Sequence, residues 1–281
     1  MKIDIKSLNM QELALQFKAL GEPSFRAKQV FIWLHKGAAS FHEMTNLSKP
    51  LRETLSARYF ITVPTVERKL VSKLDGTIKY LWRLKDGNCI ETVLMKYRHG
   101  NSICISTEVG CKMGCVFCAS TQAGFVRRLA PSEILDQVLF TQLDSGEPIS
   151  NIVLMGIGEP LDNFDNVLRF LQLLSDPNGY GMSLRHVTVS TCGVVPKILE
   201  LAEQRLGLTL SVSLHCPNDA GRSAIMPINR SYPIDVLLDA CQTYFEKTGR
   251  RVTFEYAVMD QVNSAEQDAA ALSEHLKGLN V

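Results

Sequence analysis

The chain has 281 residues, of which 46% are hydrophobic and 21% are charged, an ordinary composition for a globular protein. Its 30 Lys and Arg residues nearly balance its 29 Asp and Glu residues, which excludes a highly basic, histone-like nucleic-acid binder but not a local basic patch. The sequence contains no apolar run of about 18–20 residues, so we expect no membrane-spanning helix and no membrane partner. With eight cysteines and no signal peptide, we expect a cytoplasmic protein without a disulfide framework.

The first hundred residues predict two small elements. Residues 1–62 contain three amphipathic stretches, at 8–20, 25–37 and 46–60, which predict a helical accessory domain. Residues 63–100 change to β-rich runs separated by Asp-Gly turns, which predicts a small antiparallel meander or linker.

From residue 101 to residue 281 the pattern alternates strand, loop and helix. The strand candidates are 102–107, 150–156, 186–191, 208–215 and 252–259, and the helix candidates are 131–143, 163–174, 196–204, 232–245 and 264–278. Nearly continuous apolar strands that alternate with helices predict an α/β fold with a parallel sheet, either a β/α barrel or a doubly wound sheet. Both folds place their sites at the carboxyl ends of the strands.

Three cysteines follow the first of these strands at close spacing. Cys111, Cys115 and Cys118 form a Cys-x3-Cys-x2-Cys motif, which is typical of a radical S-adenosylmethionine (SAM) protein. Three thiolates on a 4Fe-4S cluster leave one iron open to bind a substrate directly. The alternative is a zinc knuckle that takes Cys104 or a distant residue as its fourth ligand.

The next three strands also end in polar elements. The second strand is followed by Gly158 and Glu159, the third ends at Ser190, and the fourth ends at Ser213 and His215. Glycine lets the backbone approach a ligand closely, and a carboxylate with nearby carbonyls suits an ammonium group. Each element alone also fits capping or core hydrogen bonding, but together they predict a site at one edge of the sheet.

The sequence resembles one family over essentially its whole length. The segments FRAKQVFIWLHKG, FHEMTNLSKPLR, CIETVLM, SICISTEVGCKMGCVFCAS, LMGIGEPLDN, VTVSTCGVVPKI, SLHCPNDAGRSAIMPIN and RRVTFEYAVMD are similar to blocks of the RlmN family and occur in the same order. This family comprises radical-SAM methyltransferases that act on adenine C2 in 23S rRNA and tRNA. The resemblance implies a partial radical-SAM β/α barrel with five of its six strands, an N-terminal helical accessory domain and a small β meander.

The resemblance also implies roles for individual residues. Three cysteines would hold the 4Fe-4S cluster, and two further residues would be catalytic: Glu91 as the proton acceptor and Cys104 as the thiol that releases the product. The residues implied to bind the cluster are Cys111, Cys115 and Cys118, and those implied to contact SAM are Gly158, Glu159, Ser190, Ser213, Leu214 and His215. Without the resemblance, Cys104 reads as a buried strand cysteine and Glu91 as a solvated charge.

The family's chemistry explains this set of residues. Adenine C2 is electron-poor, so the family uses a radical route that consumes two SAM molecules and a transient disulfide. The resemblance therefore implies 23S rRNA and tRNA as substrates, a one-electron donor such as flavodoxin or ferredoxin, and a monomer.

Family members continue through a sixth strand to a second catalytic cysteine that carries the methyl group. This sequence stops at Val281, and Cys192, Cys216 and Cys241 do not match that motif. We therefore expect a shortened family member, whose barrel has an open edge prone to aggregation and which lacks the thiol that carries the methyl group in the family's mechanism.

Two alternatives to C2 methylation stay open at this point. The first is methylation of adenine C8 by the same machinery, and the second is a non-catalytic RNA-binding remnant that keeps a metal site. RNA contacts would be local because the net charge is small. The candidates are Arg26, Lys28, Arg68, Lys69, Lys73, Lys96, Arg98, His99, Arg127 and Arg128.

Overall fold

The computed structural model describes residues 2–280, which form two compact units. The first unit takes its residues from Met1–Ser106, Leu129–Asn151 and Asp165–Ser183, and the second from Thr107–Arg128, Ile152–Phe164 and Leu184–Val281. Within residues 2–280, no helix is long and apolar enough to cross a membrane.

The start of the first unit is helical, as predicted. Strand β1 (Ile3–Asp4) and a 3₁₀ turn (Ile5–Ser7) precede α1 (Met10–Ala19), α2 (Ser24–His35), a second 3₁₀ turn (Phe41–Glu43) and α3 (Lys49–Arg58). Strand β2 (Tyr59–Phe60) then pairs in parallel with β1. Helix α1 begins at a capping box, in which the Asn9 and Glu12 side chains each accept the other's backbone N–H.

The predicted meander is present in the same unit. Strands β3 (Thr65–Val71), β4 (Ile78–Arg83) and β5 (Cys89–Met95) pair antiparallel in sequence order. At the two turns between them, the side chains of Asp75 and Asp86 accept backbone N–H groups from two residues further on. The glycines that follow, Gly76 and Gly87, have φ of +73° and +88°, conformations that glycine adopts without strain.

Strand β6 (Asn101–Cys104) has an antiparallel partner that we did not predict. We predicted residues 102–107 as the first strand of the parallel set; β6 is shorter than this range, and it pairs antiparallel with β5, with Cys104 opposite Val93. The reason is the connection, since the few residues that join β5 to β6 are too short for a parallel crossover.

A buried ion pair anchors the start of the chain to α4 (Pro131–Ser145), which lies in this unit with most of α5 (Phe164–Ser175). The Lys6 ammonium is 2.6 Å from the Asp136 carboxylate, and it donates to the Thr62 carbonyl at 2.6 Å. The two charged side chains are 0% and 1% exposed. Burial raises the pKa of Asp136 to about 6 even though Lys6 opposes the shift.

The second unit contains parallel strands, as predicted. Strands β10 (Val187–Thr191), β11 (Thr209–Ser213) and β12 (Val252–Glu255) pair in parallel in that order, and the last residues of β9 (Ile149–Leu154) pair in parallel with β10. Val189, Leu210 and Val212 are fully buried. The parallel strands bring their carboxyl ends to the same edge.

Helices α6 (Val195–Glu203), α7 (Asp219–Ile225), α8 (Ile234–Thr248) and α9 (Glu266–Leu276) also belong to this unit, and α6 packs on α8. Its 3₁₀ turns are Ala119–Thr121, Leu184–His186 and Pro227–Arg230. A short antiparallel hairpin joins β7 (Glu108–Gly110) to β8 (Phe125–Arg128). We did not predict α7 or this hairpin, because both are only a few residues long and contain glycine.

The buried ion pair gives the first prediction. Lys6→Met should lower the free energy of unfolding by about 3–5 kcal/mol, because it leaves the Asp136 carboxylate buried without its partner. Urea denaturation followed by circular dichroism measures the change.

Lys96→Met is the matched control. Lys96 lies 2.6 Å from Glu147, but both side chains are more than one-third exposed, so its loss should change the unfolding midpoint little. Equal destabilisation by the two substitutions would contradict the role given to burial.

Candidate functional site

The cysteine motif lies on a loop that the β7–β8 hairpin closes. The hairpin brackets residues 111–124, and the Cys111 N–H donates to the Gly124 carbonyl at 3.2 Å. Gly110 has φ of +75°, and a Cβ there would lie 1.7 Å from that carbonyl oxygen. Only glycine fits at position 110, and this close approach fixes the place of the first cysteine.

The rest of the loop is held mainly through its backbone. The Cys118 N–H donates to the Cys115 carbonyl at 3.1 Å, and the Thr121 hydroxyl donates to the Cys118 carbonyl at 2.9 Å. The Val116 N–H donates to the carbonyl of Ile225, the last residue of α7, at 3.0 Å. None of these bonds uses a cysteine sulfur atom, and all three cysteines line the cavity beside the loop.

The three thiols line one cavity of about 220 Å³ together with the ends of the parallel strands. Burial raises the pKa of the Cys111 and Cys115 thiols to about 11, and no disulfide joins any two cysteines among the described residues. Within residues 2–280, no three His, Cys, Asp or Glu side chains are arranged to hold a single metal ion. A cluster takes one thiolate at each of several irons, so three thiols around a cavity fit a 4Fe-4S cluster.

The loop after β9 forms the next part of the cavity wall. The Ile157 carbonyl accepts the N–H groups of Thr107 and Glu108 at 2.9 and 3.2 Å. Gly158 has φ of +106°, and a Cβ there would lie 2.6 Å from the Glu108 Cβ. We did not single out Glu108, which is fully buried and accepts the Glu159 N–H at 3.0 Å. Its burial raises its pKa to about 7.

Glu159 lines the cavity and also braces it. Its side chain is buried, and its carboxylate accepts the backbone N–H of Leu161 at 2.9 Å and that of Cys192 at 2.8 Å. Burial raises the pKa of this carboxyl, while these hydrogen bonds oppose the shift. We predicted a carboxylate for a ligand's ammonium group, and the structure gives it two backbone partners as well.

The ends of β10, β11 and β12 meet at a carboxylate that sequence analysis missed. Glu255 accepts hydrogen bonds from the hydroxyls of Ser190 at 3.2 Å and Ser211 at 2.5 Å, and Ser190, Ser213 and Glu255 all line the cavity. We predicted a strand over 252–259, which put Glu255 in mid-strand. Since β12 ends at Glu255, the rule that polar strand ends form the site applies to it.

His215 closes this edge of the cavity. Its φ is +55°, its Nδ1 accepts the Ala257 N–H at 3.0 Å, and its ring lies edge-on to Phe117 at 4.9 Å. Burial lowers the pKa of the imidazole, so the neutral ring carries its proton on Nε2. Leu214 is fully buried and is not among the described residues that line the cavity.

Glu91 and Cys104 belong to the first unit. Cys104 lies opposite Val93 across the β5–β6 pair, and Glu91 precedes Val93 by two residues on β5. Alternate residues share a face of a strand, so Glu91 and Cys104 are diagonal neighbours on one face. Both are partly exposed, and Glu91 forms an ion pair with Lys79 at 2.8 Å.

Several basic residues predicted to contact RNA have acidic partners. Lys69 pairs with Asp144, Lys96 with Glu147 and Arg128 with Asp162. Arg26 donates to the Asn46 carbonyl, and the ring of His99 stacks on Tyr97. The three acidic partners reduce the local positive charge around Lys69, Lys96 and Arg128.

Two segments of the chain match models of known protein families. Residues 3–61 match the model of the ribosomal RNA large subunit methyltransferase N-terminal domain, and residues 105–272 match the radical SAM superfamily. A probable dual-specificity RNA methyltransferase RlmN from Lachnoclostridium phytofermentans is 54% identical over an alignment of 281 positions, which covers 99% of this chain and 79% of the relative. A protein of the same name from Alkaliphilus oremlandii is 52% identical over 278 residues, which are 99% of this chain and 81% of the relative.

A solved structure is also similar. It is that of a radical SAM methyltransferase from Sphaerobacter thermophilus, with a TM-score of 0.93 and 41% identity over 99% of this chain and 83% of the other. The chain therefore belongs to the RlmN family, and its larger part is a radical-SAM domain.

Proposed function

We propose that the protein is a radical-SAM RNA methyltransferase that methylates C2 of an adenosine in 23S rRNA and in tRNA. The observation that carries the proposal is one cavity lined by the three thiols, the Gly158–Glu159 loop and three strand ends. The radical-SAM match covers every residue of this cavity wall. The named relatives are dual-specificity RNA methyltransferases, which supports the choice of RNA as substrate.

The residues of the cavity suit two cofactors. Cys111, Cys115 and Cys118 would hold a 4Fe-4S cluster with one iron left open. The Gly158–Glu159 loop, Ser190, Ser213 and His215 would contact SAM, and Leu214 through its backbone. When bound, these cofactors supply a carbon radical, which reacts at a carbon too electron-poor to attack a methyl group directly.

The chain itself orders and shields the cavity. Glu255 fixes the hydroxyl of Ser190 before any ligand arrives, and the Ala257 N–H fixes the tautomer of His215. The side chains of Leu154 and Met226 are buried in the wall. A dry wall protects a reactive radical from solvent.

Two residues of the first unit would complete the reaction. Glu91 would accept the proton from C2. The Cys104 thiolate would attack the sulfur of the family's methyl-carrying cysteine, so that a disulfide forms as the C–S bond to the base breaks and the released carbon takes up a proton to become the methyl group. Their shared face on the β5–β6 pair supports a common substrate. The target adenosine would be unpaired or flipped from its stack, since stacking in a duplex covers the faces of the ring at which C2 reacts. An electron donor such as flavodoxin or ferredoxin would complete the cycle of a monomeric cytoplasmic enzyme.

Iron content tests the cofactor proposal. After anaerobic reconstitution we expect about four irons per chain, and loss of this iron in Cys115→Ala. Iron analysis and the visible spectrum measure both. Cys241→Ala is the matched control, because Cys241 is also a buried thiol of the second unit, on α8. Stoichiometric zinc without iron, or equal loss in the control, would contradict the cluster proposal.

Methyl transfer tests the reaction itself. The protein is expressed from its full open reading frame. We expect it to transfer a labelled methyl group from SAM to 23S rRNA and tRNA under reducing conditions. Digestion, mass spectrometry and NMR locate the methylated carbon. A methyl group at C8 would replace the proposed regiochemistry. Binding of RNA without SAM cleavage by iron-loaded protein would favour a non-catalytic role.

Cys104→Ala separates cofactor chemistry from product release. We expect the variant to keep reductive cleavage of SAM to 5′-deoxyadenosine but to form no free methylated RNA, because the releasing thiol is absent. Chromatography quantifies both products.

The control for this variant is Cys89→Ala. Cys89 is also a partly exposed thiol of the first unit and is the first residue of β5. Full methylation by Cys104→Ala would remove Cys104 from the mechanism.

A further inference from the structure

Arg222, on α7, is fully buried. Its guanidinium donates to the backbone carbonyls of Cys192 at 2.8 Å, Ser213 at 3.0 Å and Leu214 at 3.2 Å, and to the Asn229 side-chain oxygen at 2.9 Å. All four acceptors are neutral. Within the part of the chain that the structure describes, no carboxylate lies within ion-pair distance of Arg222.

A buried cation without an anion is costly, because neutral acceptors replace only part of its lost hydration. Arg222 is linked to an acidic group only indirectly, through Asn229, whose side-chain amide donates to the Asp219 carboxylate at 2.9 Å. Asp219 lies at the start of α7 and also accepts the Ile234 N–H. The Asp219 charge therefore acts on the guanidinium from a distance and not by direct contact, and a further negative charge nearby would offset the cost of burying the cation.

The cysteine loop is placed to supply that charge. Ile225, three residues after Arg222, accepts the Val116 N–H from the middle of the cysteine motif. Cys115, Cys192 and Ile225 belong to one buried cluster. The guanidinium also donates to the backbone carbonyl of Cys192, and Cys192 lines the same cavity as Cys115. The buried cation thus sits behind the wall that carries the thiols.

We propose that Arg222 is a positioning residue that supplies a buried positive charge to the iron–sulfur cluster through the cavity wall. Three thiolates would outweigh the 2+ charge of an oxidised 4Fe-4S core by one unit, and one-electron reduction by the donor would add a second net negative charge. A fixed cation stabilises the more negative state, so Arg222 raises the reduction potential and helps to retain iron. This inference rests on the proposed function.

Arg222→Gln and Arg222→Lys separate charge from hydrogen bonding. Glutamine keeps a donor without the charge, whereas lysine keeps the charge without the planar fork. EPR-monitored redox titration of the reconstituted proteins gives the potentials. Arg222→Gln should lower the equilibrium constant for reduction at least about tenfold, which is about 59 mV for one electron. Arg222→Lys should stay closer to the wild type.

Arg250→Gln is the matched control. Arg250 also holds a backbone carbonyl of the second unit, that of Leu208 at 3.3 Å, and it bonds the Thr209 hydroxyl at the start of β11. It therefore acts at the strand end opposite to Ser213, and its loss should leave the potential unchanged.

Two outcomes would overturn the inference. One is a wild-type reduction potential in iron-loaded Arg222→Gln. The other is unfolding of both Arg222 variants in the absence of iron, because Arg222 would then be needed for the fold alone. The inference is supported if Arg222→Gln folds but loses iron while Arg222→Lys keeps it. If both variants fold and both lose iron, the proposed role of the charge is overturned. Absence of iron in the wild-type protein would instead refute the proposed function.

Discussion

The buried carboxylate of Glu159 is the interaction on which the site in the second unit depends. It accepts one N–H from its own loop, at Leu161, and one from the loop after the neighbouring strand, at Cys192. A buried N–H without an acceptor costs about 1–3 kcal/mol, so this carboxylate holds two separate loops in one arrangement. Glutamate suits this position because its two oxygens reach both loops at once.

Two further charged side chains, one of each sign, connect neighbouring strand ends in the same way. Glu255 accepts hydrogen bonds from the hydroxyls of Ser190 and Ser211, and Arg222 donates hydrogen bonds to the carbonyls of Cys192 and Ser213. Each charged group bonds neutral groups from neighbouring strand ends, so the ends are cross-linked by short, charge-assisted bonds. The cavity wall is therefore ordered by the protein alone, which is the condition for precise placement of a cofactor.

Local signals in the sequence predicted much of this fold, and interactions between distant segments account for the rest. The turns at Asp75 and Asp86 and the buried parallel strands each follow from a few neighbouring residues, as does the clustering of Cys111, Cys115 and Cys118. Arg222 could not be recognised from the sequence, because its acceptors come from three elements that only the fold brings together. The antiparallel pairing of β6 was missed because the apolar run itself does not encode direction, whereas the short connection before it does.

The surface charges bear on how a nearly neutral protein would recognise RNA. Lys69, Lys96 and Arg128 each form an exposed or partly exposed ion pair with an acidic side chain. Such a pair contributes at most about 1 kcal/mol to stability. A phosphate can therefore replace the acid at small cost, but the acid cancels much of the long-range attraction. With a net charge of only +1, the field of the whole protein adds little long-range attraction for RNA. Recognition of the proposed substrate must then depend on the shape of an unpaired loop and on contacts to the exposed base.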